Sequence, residues 1–299
     1  MVNEKAKSSR VQLNYISDTH LEGLFDKRGR LEKEILSRCY KSLFACNRQP
    51  GVGENVLLIA GDFAESRKFH YFAPFLVEVV SENGYDAVLY VPGNHEYYGD
   101  SLQHAADRIR RAAEEAGLAK VFRLLDNETA SFDGGRVRIH GTVFWYGLIP
   151  GDEYILKWRL NDYRRIRCYE DGNYRRLQCT DILLRHKEGL DFLEAALSAA
   201  REGTDILFTH HPPSLRFGTA EPGYGTALPA RWFLPDDGCG RKIKAAVHGH
   251  SHICRPYCYD SEYGFPCHTH TVGYFGGEFK PDSEIGRELI RDGLPFLVV

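Results

Sequence analysis

Short apolar runs recur along the chain, and most of them stop at a polar or glycine-containing segment. Their length and their β-branched content are typical of buried strands. They predict strands over 11–17, 55–60, 87–91, 129–132, 136–142, 205–209, 244–247, 256–259, 266–272 and 295–299. Residues 133–135 read Asp-Gly-Gly between two of these runs, which predicts a hairpin there.

Longer stretches with apolar residues three and four apart predict four helices, the first three of which separate the first strands. These stretches cover 31–46, 69–80, 101–116 and 181–200. Ser101 stands at an N-cap position of the third helix, and Gly117 follows it as a stop signal. Strands that alternate with helices indicate parallel β-α-β units, so we expect an α/β fold.

Five polar segments follow directly after predicted strands. They are Asp18-Thr19-His20, Gly61-Asp62, Gly93-Asn94-His95-Glu96, His210-His211 and Gly249-His250-Ser251-His252. Ligands of open α/β sheets bind outside the carboxyl ends of the strands, so segments far apart in sequence are able to converge on one site. The set offers more Asp, Asn and His ligands than one ion needs, which predicts a two-metal hydrolytic site.

Alone, the first two segments have simpler explanations. Asp18 or Thr19 could cap a helix, and Gly61-Asp62 is common turn chemistry. The segments ending at Glu96 and His252 are more specific, because a buried strand rarely ends on such residues for turn reasons alone. Oxygen and imidazole ligands without cysteine favour manganese, iron or zinc. A carboxylate such as Asp62 has two oxygens and is able to bridge two ions, whereas Asn94 offers a neutral amide oxygen.

Taken together, these segments resemble the signature of the calcineurin-like metallophosphoesterase superfamily, in a bacterial-type branch. The resemblance runs from Asp18 to His252. It implies a four-layer αββα sandwich, with two mixed β-sheets flanked by helices. It also implies two divalent or mixed-valence ions, a bridging hydroxide as nucleophile and a histidine as general acid.

The resemblance assigns a role to each matching position. One ion would be held by Asp18, His20 and His252, and the other by Asn94, His210 and His250. Asp62 would bridge the ions, and His95 would protonate the leaving group. The protein Ser/Thr phosphatases of the superfamily carry Asp and Arg where this chain has Glu65 and Ser66. This departure disfavours a protein phosphatase, and we predict that Glu65 orients His95 through a hydrogen bond.

Residues 145–180 lie between the two groups of motifs and predict an insertion that lines the cleft. The segment from Asn161 to Arg167 resembles an Asn-Asp-Tyr-Arg element of the same branch. In that branch a later helix carries a central histidine, which His186 would match, with Asp181 ahead of it. Substrate-binding candidates are Tyr163, Arg164, Arg165 and His211. A solvated loop is the alternative for 162–167.

Composition limits the remaining possibilities. The 299 residues are 43% hydrophobic and show no composition break, so we expect one domain over 1–299. The net charge of −3 makes nucleic acid an unlikely partner without excluding it. The partner that the resemblance implies is a small phosphate-ester substrate. No apolar run spans a bilayer, and residues 1–10 lack a signal core. The eight cysteines of such a chain are expected to be reduced thiols in a cytoplasm. A structural zinc is an alternative for the cluster of Cys254, Cys258, Cys267 and His268.

These observations predict an enzyme that hydrolyses a phosphate monoester or diester. A nuclease of the same superfamily is the alternative, and the absence of a basic overall charge speaks against it. A scaffold that has lost its metal site is excluded, because every expected ligand and His95 are present. The substrate, the native metals and the oligomeric state are not determined by the sequence.

Overall fold

The computed structural model describes residues 10–147, 151, 153–199, 202–216, 228–229, 232 and 243–299. Its strands are β1 (Arg10–Ile16), β2 (Val52–Ile59), β3 (Ala87–Tyr90), β4 (Phe122–Leu124), β5 (Glu128–Phe132), β6 (Val137–Thr142), β7 (Arg167–Glu170), β8 (Asn173–Arg176), β9 (Thr204–Thr209), β10 (Ile243–His248), β11 (Pro256–Asp260), β12 (Pro266–His270) and β13 (Phe296–Val298). Its helices are α1 (Lys33–Ile35), α2 (Lys41–Leu43), α3 (Phe69–Asn83), α4 (Ala105–Glu115), α5 (Glu153–Arg159), α6 (Asp162–Arg165), α7 (Cys179–Ser198) and α8 (Glu284–Asp292). A π-helical turn over Leu36–Tyr40 joins α1 to α2.

The strands form two large mixed sheets and one separate hairpin. The first sheet has the order β13-β1-β2-β3-β4, in which only β13 runs antiparallel to its neighbour. The second has the order β11-β12-β10-β9-β6-β5, in which the strands from β12 to β6 are parallel. The hairpin consists of β7 and β8. The predicted antiparallel pairing of 129–132 with 136–142 is confirmed as β5 and β6.

The two large sheets share one apolar core. Leu13, Leu58, Leu89, Ile206 and Val247 belong to this core, and all are buried. A second apolar cluster lies under α3 and α4 on the first sheet, and a third joins α7 to the second sheet. The layers therefore run helix, sheet, sheet, helix, which confirms the predicted α/β sandwich with two mixed sheets flanked by helices.

The insertion predicted at 145–180 contains α5, α6, β7 and β8. Its side chains form an apolar cluster of their own with Tyr97 and Leu102. Ser101 does not cap a helix as predicted, because it pairs with Arg167 as an isolated parallel bridge, so that α4 begins only at Ala105. The extent of the domain, 1–299, stays a prediction.

Candidate metal centre

Loops at the carboxyl ends of five strands meet at one edge of the two sheets. They follow β1, β2 and β3 in the first sheet and β9 and β10 in the second. Backbone hydrogen bonds join them: Asp18 donates to the carbonyl of Gly61 at 3.0 Å, and Gly249 donates to that of His210 at 3.0 Å. The five sequence motifs are thus brought together, as the strand-end rule predicts.

The backbone at this edge is strained. Left-handed φ angles between 44° and 64° occur at five of the seven predicted ligands, namely Asp18, His20, Asp62, His250 and His252. Side chains other than glycine rarely adopt this conformation, and it persists only where the surroundings impose it. Such a concentration at one place indicates a functional site.

Two glycines of the motifs are required by close packing. A Cβ on Gly93 would lie 2.2 Å from Oδ1 of Asp62, and one on Gly249 would lie 2.4 Å from the carbonyl oxygen of Ala60. Contacts this short force a shift, so a side chain at either position would displace a candidate ligand or the backbone at the end of β2.

The carboxylate of Asp62 lies between two groups of histidines. Its Oδ2 is 3.9 Å from Nε2 of His20, and its Oδ1 is 3.6 Å from Nε2 of His210. The backbone N–H of His95 also donates to Oδ1, at 2.9 Å. Each oxygen therefore faces a different group of histidines, which is the arrangement that a bridging carboxylate needs.

The first group consists of Asp18, His20 and His252. The Nε2 atoms of the two imidazoles are 3.2 Å apart, and Nε2 of His252 is 3.3 Å from Oδ1 of Asp18. Two nitrogens that each lie about 2.1 Å from one ion are separated by roughly 3.0–3.5 Å. The observed spacing fits a shared divalent cation.

The second group consists of Asn94, His210 and His250. Nε2 of His210 is 3.2 Å from Nδ1 of His250 and 3.1 Å from Oδ1 of Asn94. Nδ1 of His210 faces the carbonyl oxygen of Ala60 at 2.9 Å, so its N–H donates there and Nε2 is left as an acceptor. Burial lowers the pKa of His210 to about 4, so this imidazole is neutral, as a metal ligand must be.

Electrostatics around Asp62 favour cations. Burial raises the pKa of Asp62 well above its ordinary value, and the nearby carboxylates of Glu96 and Asp18 raise it further. Burial lowers the pKa of His20, His210 and His250, so these imidazoles are neutral, and the buried carboxylates beside them leave negative charge that divalent ions would neutralise. The donor set, oxygen and nitrogen without sulfur, suits manganese, iron or zinc.

Glu96 shapes the loop that carries Asp62. Its buried carboxylate accepts hydrogen bonds from the backbone N–H groups of Asp62, Phe63 and Gly93, at 3.0, 2.8 and 2.6 Å. The hydroxyl of Tyr90 donates to the same carboxylate. The last residue of the Gly93-Asn94-His95-Glu96 motif is therefore a structural acceptor that holds two of the loops together.

His95 lies at the entrance of the site. Its Nδ1 is 2.9 Å from Oε1 of Glu22, and its Nε2 is 3.0 Å from the hydroxyl of Tyr274. The predicted hydrogen bond from Glu65 to His95 was wrong. Glu65 instead accepts from Arg165 at 2.7 Å and pairs with Lys68 at 3.1 Å, while both ring nitrogens of His95 have other partners.

Two partners hold the amide of Asn94. Its Nδ2 donates to Asp162 at 2.9 Å and to the hydroxyl of Tyr98 at 3.1 Å, while Tyr98 itself donates to Asp162 at 2.8 Å. With the nitrogen fixed in this way, Oδ1 faces His210. The sequence pointed to the segment around Asp162 but assigned no role to this carboxylate or to Tyr98.

The substrate-binding candidates lie in different places. The guanidinium of Arg165 covers the ring of Tyr98 at 4.5 Å, next to His95. Arg164 donates to the backbone carbonyl of Trp158. Tyr163, which was predicted to stack on substrate, is buried in the insertion and contacts the hydroxyl of Tyr146 at 3.2 Å. Of these three residues, Arg165 lies beside His95, whereas Arg164 contacts the backbone of the insertion. The prediction that Tyr163 contacts substrate was wrong, because its side chain is buried.

His211 is buried beside the second group. Its ring centroid is 4.5 Å from that of His250 and 5.0 Å from that of His210. Nδ1 faces the carbonyl of Val143 at 3.2 Å, and Nε2 has no hydrogen-bond partner. His210, His211 and His250 thus form a set of imidazoles close enough together to hold one ion, and the substrate contact of His211 stays a prediction.

Two other residues of the resemblance lie outside the centre. Nδ1 of His186 is within hydrogen-bond distance of the carbonyl oxygen of Trp145, at 2.7 Å. Asp181 caps the start of α7 and forms an ion pair with Arg175. Among the described residues, the groups able to hold a metal contain no cysteine. The zinc alternative for Cys254, Cys258 and Cys267 therefore gains no support, while Cys239 and residues 1–9 lie outside the described residues.

Comparison with known proteins decides the family. A family model described as calcineurin-like phosphoesterase matches residues 13–254, which is most of the chain. The chain belongs to this family. Membership implies a phosphoesterase, metal-dependent hydrolysis of a phosphate ester and a dinuclear divalent metal centre. The structure holds groups of Asp and His side chains close enough together to be candidate ligands of such a centre.

Individual proteins are similar to this chain over most of its length. The chain is 24% identical over 280 residues to the uncharacterized protein L509 of Acanthamoeba polyphaga mimivirus, with 88% of this chain and 91% of that protein covered. The crystal structure of a phosphopantetheinyl hydrolase, PptH, from Mycobacterium tuberculosis is similar with a TM-score of 0.58, at 19% identity, covering 89% of this chain and 91% of that one. This second likeness supports the fold. Within the part of the chain that the structure describes, we find no helix with the length and apolar character to cross a bilayer.

Proposed function

We propose that the protein hydrolyses a small phosphate ester at a dinuclear centre bridged by Asp62. Asp18, His20 and His252 would hold one ion, and Asn94, His210 and His250 the other. The observation that carries this proposal is the position of Asp62, whose two carboxylate oxygens face the two groups at 3.9 and 3.6 Å. When bound, the ions would neutralise phosphoryl charge and make water a nucleophile at neutral pH.

His95 is the proton donor in this proposal. Its Nδ1 is engaged by Glu22, so Nε2 is the nitrogen that faces the cleft, where the hydroxyl of Tyr274 lies 3.0 Å away. In its imidazolium form His95 carries a proton on each ring nitrogen; as the bond between phosphorus and the leaving oxygen breaks, the proton on Nε2 moves to that oxygen, the proton on Nδ1 stays with Glu22, and the alcohol departs neutral. Asp62 steadies the same residue by accepting its backbone N–H.

Arg165 is proposed to contact the phosphoryl oxygens. It lies on the ring of Tyr98, beside His95, and roughly half of its side chain is exposed. A guanidinium is able to donate two parallel hydrogen bonds to a phosphate. The carboxylate of Glu65, which accepts from Arg165 at 2.7 Å, would hold the guanidinium in place until substrate binds.

The test is hydrolysis of a panel of esters by protein loaded with manganese, iron or zinc. The panel compares p-nitrophenyl phosphate, bis-p-nitrophenyl phosphate, nucleotides, cyclic nucleotides and single-stranded DNA. Because the similar Mycobacterium tuberculosis protein is named a phosphopantetheinyl hydrolase, a phosphopantetheinyl ester is included. We expect metal-dependent release of phosphate or of a phosphomonoester from small substrates. Cleavage of DNA alone would favour the nuclease, and no hydrolysis with any metal would refute the proposal.

A further inference from the structure

One carboxylate oxygen contacts two imidazoles of different proposed function. Oε1 of Glu22 is 2.9 Å from Nδ1 of His95 and 3.3 Å from Nδ1 of His20. An ionised carboxylate only accepts hydrogen bonds, so both rings must carry their proton on Nδ1. In consequence the Nε2 atoms of both rings are turned away from Glu22, toward the site.

The two Nε2 atoms face different parts of that site. Nε2 of His20 lies 3.2 Å from Nε2 of His252, within the first group of candidate ligands. Nε2 of His95 lies 3.0 Å from the hydroxyl of Tyr274, at the entrance. The side chain of Tyr274 stacks on His20 with a centroid distance of 4.0 Å, so the two imidazoles share one edge of the cleft.

No cation competes for Glu22 among the described residues. Its side chain is 9% exposed, its contacts are with the two histidines, and Oε2 is buried without a hydrogen-bond partner. Glu22 lies on a short 3-10 turn over Leu21–Leu24, whose first residue donates to the carbonyl of Phe63 at 2.8 Å. The turn is thereby tied to the loop of Asp62. By contrast, Glu65 is occupied by Arg165 and Lys68.

We propose that Glu22 is a positioning residue that sets the tautomer of a metal ligand and of the proton donor together. This inference rests on the proposed function of His20 and His95. A carboxylate that accepts from the outer nitrogen of a ligating histidine orients the ring and raises its basicity. Here the same carboxylate also holds the proton donor, so loss of Glu22 weakens metal binding and proton delivery at once.

The first experiment is Glu22→Gln, compared with Glu65→Gln as the matched carboxylate. The amide oxygen of glutamine keeps two lone pairs but loses the negative charge, so it holds the two rings more weakly than the carboxylate does. In E22Q we expect the affinity for Mn²⁺, measured by competition with a chelator, to fall about 10-fold. Turnover of an alkyl phosphate ester should fall about 10–100-fold, more than turnover of a p-nitrophenyl ester, with KM little changed. E65Q should keep both the wild-type Mn²⁺ affinity and the wild-type ratio of the two turnovers.

The second experiment does not depend on activity. Zinc-loaded wild-type protein with ¹⁵N-labelled histidine is examined by NMR, and the ring of His95 is assigned by its loss in His95→Gln. We expect Nδ1 to be protonated in the neutral ring, with Nε2 gaining its proton only in the imidazolium form that donates. A neutral His95 protonated on Nε2 would overturn the inference, as would an E22Q protein with wild-type Mn²⁺ affinity and equal losses for both leaving groups. If the wild-type protein hydrolyses no ester, the proposed function fails, while the Mn²⁺ affinity and the NMR tautomer still decide the role of Glu22.

Discussion

The side-chain nitrogen of Asn94 donates a hydrogen bond to the buried carboxylate of Asp162, 2.9 Å away. The acceptor comes from α6 in the insertion, 68 residues further along the chain. Because an amide offers its oxygen on the side opposite its nitrogen, this contact turns Oδ1 of Asn94 toward His210. The insertion thus contributes to the candidate metal centre as well as to its surroundings.

Asp162→Ala is expected to weaken metal binding. Without the carboxylate the amide of Asn94 is free to rotate, and loss of such a partner typically costs about 10–100-fold in metal affinity. Titration of metal-free protein with Mn²⁺ measures the effect. Tyr98→Phe is the control, since it removes the second acceptor but keeps Asp162 and the ring, and its loss should be smaller. Wild-type affinity in Asp162→Ala would show that other contacts orient Asn94.

Asp62→Asn is expected to weaken the binding of both ions, because its two oxygens face both groups of ligands. Metal analysis of the purified protein should give two ions per wild-type chain. His252→Gln is the matched comparison: His252 belongs to one group only, so the ion of the other group should be retained. A single ion in active wild-type protein would contradict the dinuclear centre.

His95→Ala is expected to lower turnover by about 10²–10⁴-fold, which is the usual contribution of a positioned proton donor. The loss should be largest for alkyl esters and smallest for nitrophenyl esters, whose leaving group hardly needs a proton. Metal content, checked in the same preparation, should stay near that of the wild type. Equal losses across leaving groups would exclude the role of proton donor.

Arg165→Ala is expected to raise KM by roughly 10-fold with kcat much less changed, the pattern of lost uniform binding. Arg164→Ala is the matched control on the same helix, since its guanidinium contacts the backbone of Trp158. Steady-state kinetics on the best substrate of the panel compares the two. Equal KM values in both variants and the wild type would remove Arg165 from the substrate site.

Asp205→Asn is expected to destabilise the fold. The carboxylate of Asp205 accepts two hydrogen bonds from Arg138, at 2.6 and 3.0 Å, and one from His140 at 2.9 Å. Removal of one partner of a buried ion pair costs about 3–5 kcal/mol in the free energy of unfolding. Denaturant unfolding at pH 7 measures this difference.

The same pair predicts a pH dependence. Burial alone would raise the pKa of Asp205, but the hydrogen bonds from His140 and Arg138 outweigh it and lower the pKa from 3.8 to about 2. A lowered pKa in the folded state gives stability that is complete above the unfolded value and is lost as the pH falls toward the folded value. The difference between wild type and Asp205→Asn should therefore be constant from pH 7 to about 5 and shrink below about pH 4. A constant difference down to pH 3 would contradict this assignment.

Much of the fold was predictable because its signals are local. A buried parallel strand is an apolar run of a few residues, and a helix such as α3 shows its period within its own sequence. The prediction was wrong where a distant contact decided the outcome. Ser101 has the chemistry of an N-cap, yet its pairing with Arg167 delays the helix to Ala105.

The sequence by itself determined the candidate ligands, because each stands directly after a strand and carries its chemistry in its own side chain. Only the tertiary structure decided what holds them. Glu22 lies 73 residues from His95, and nothing near it in sequence marks it as the partner of that imidazole. Glu65 occupies the position at which the protein Ser/Thr phosphatases carry Asp, but it accepts a hydrogen bond from Arg165, 100 residues away. A hydrogen bond depends on which groups meet in space, and a buried carboxylate turns to the donors that the fold places beside it.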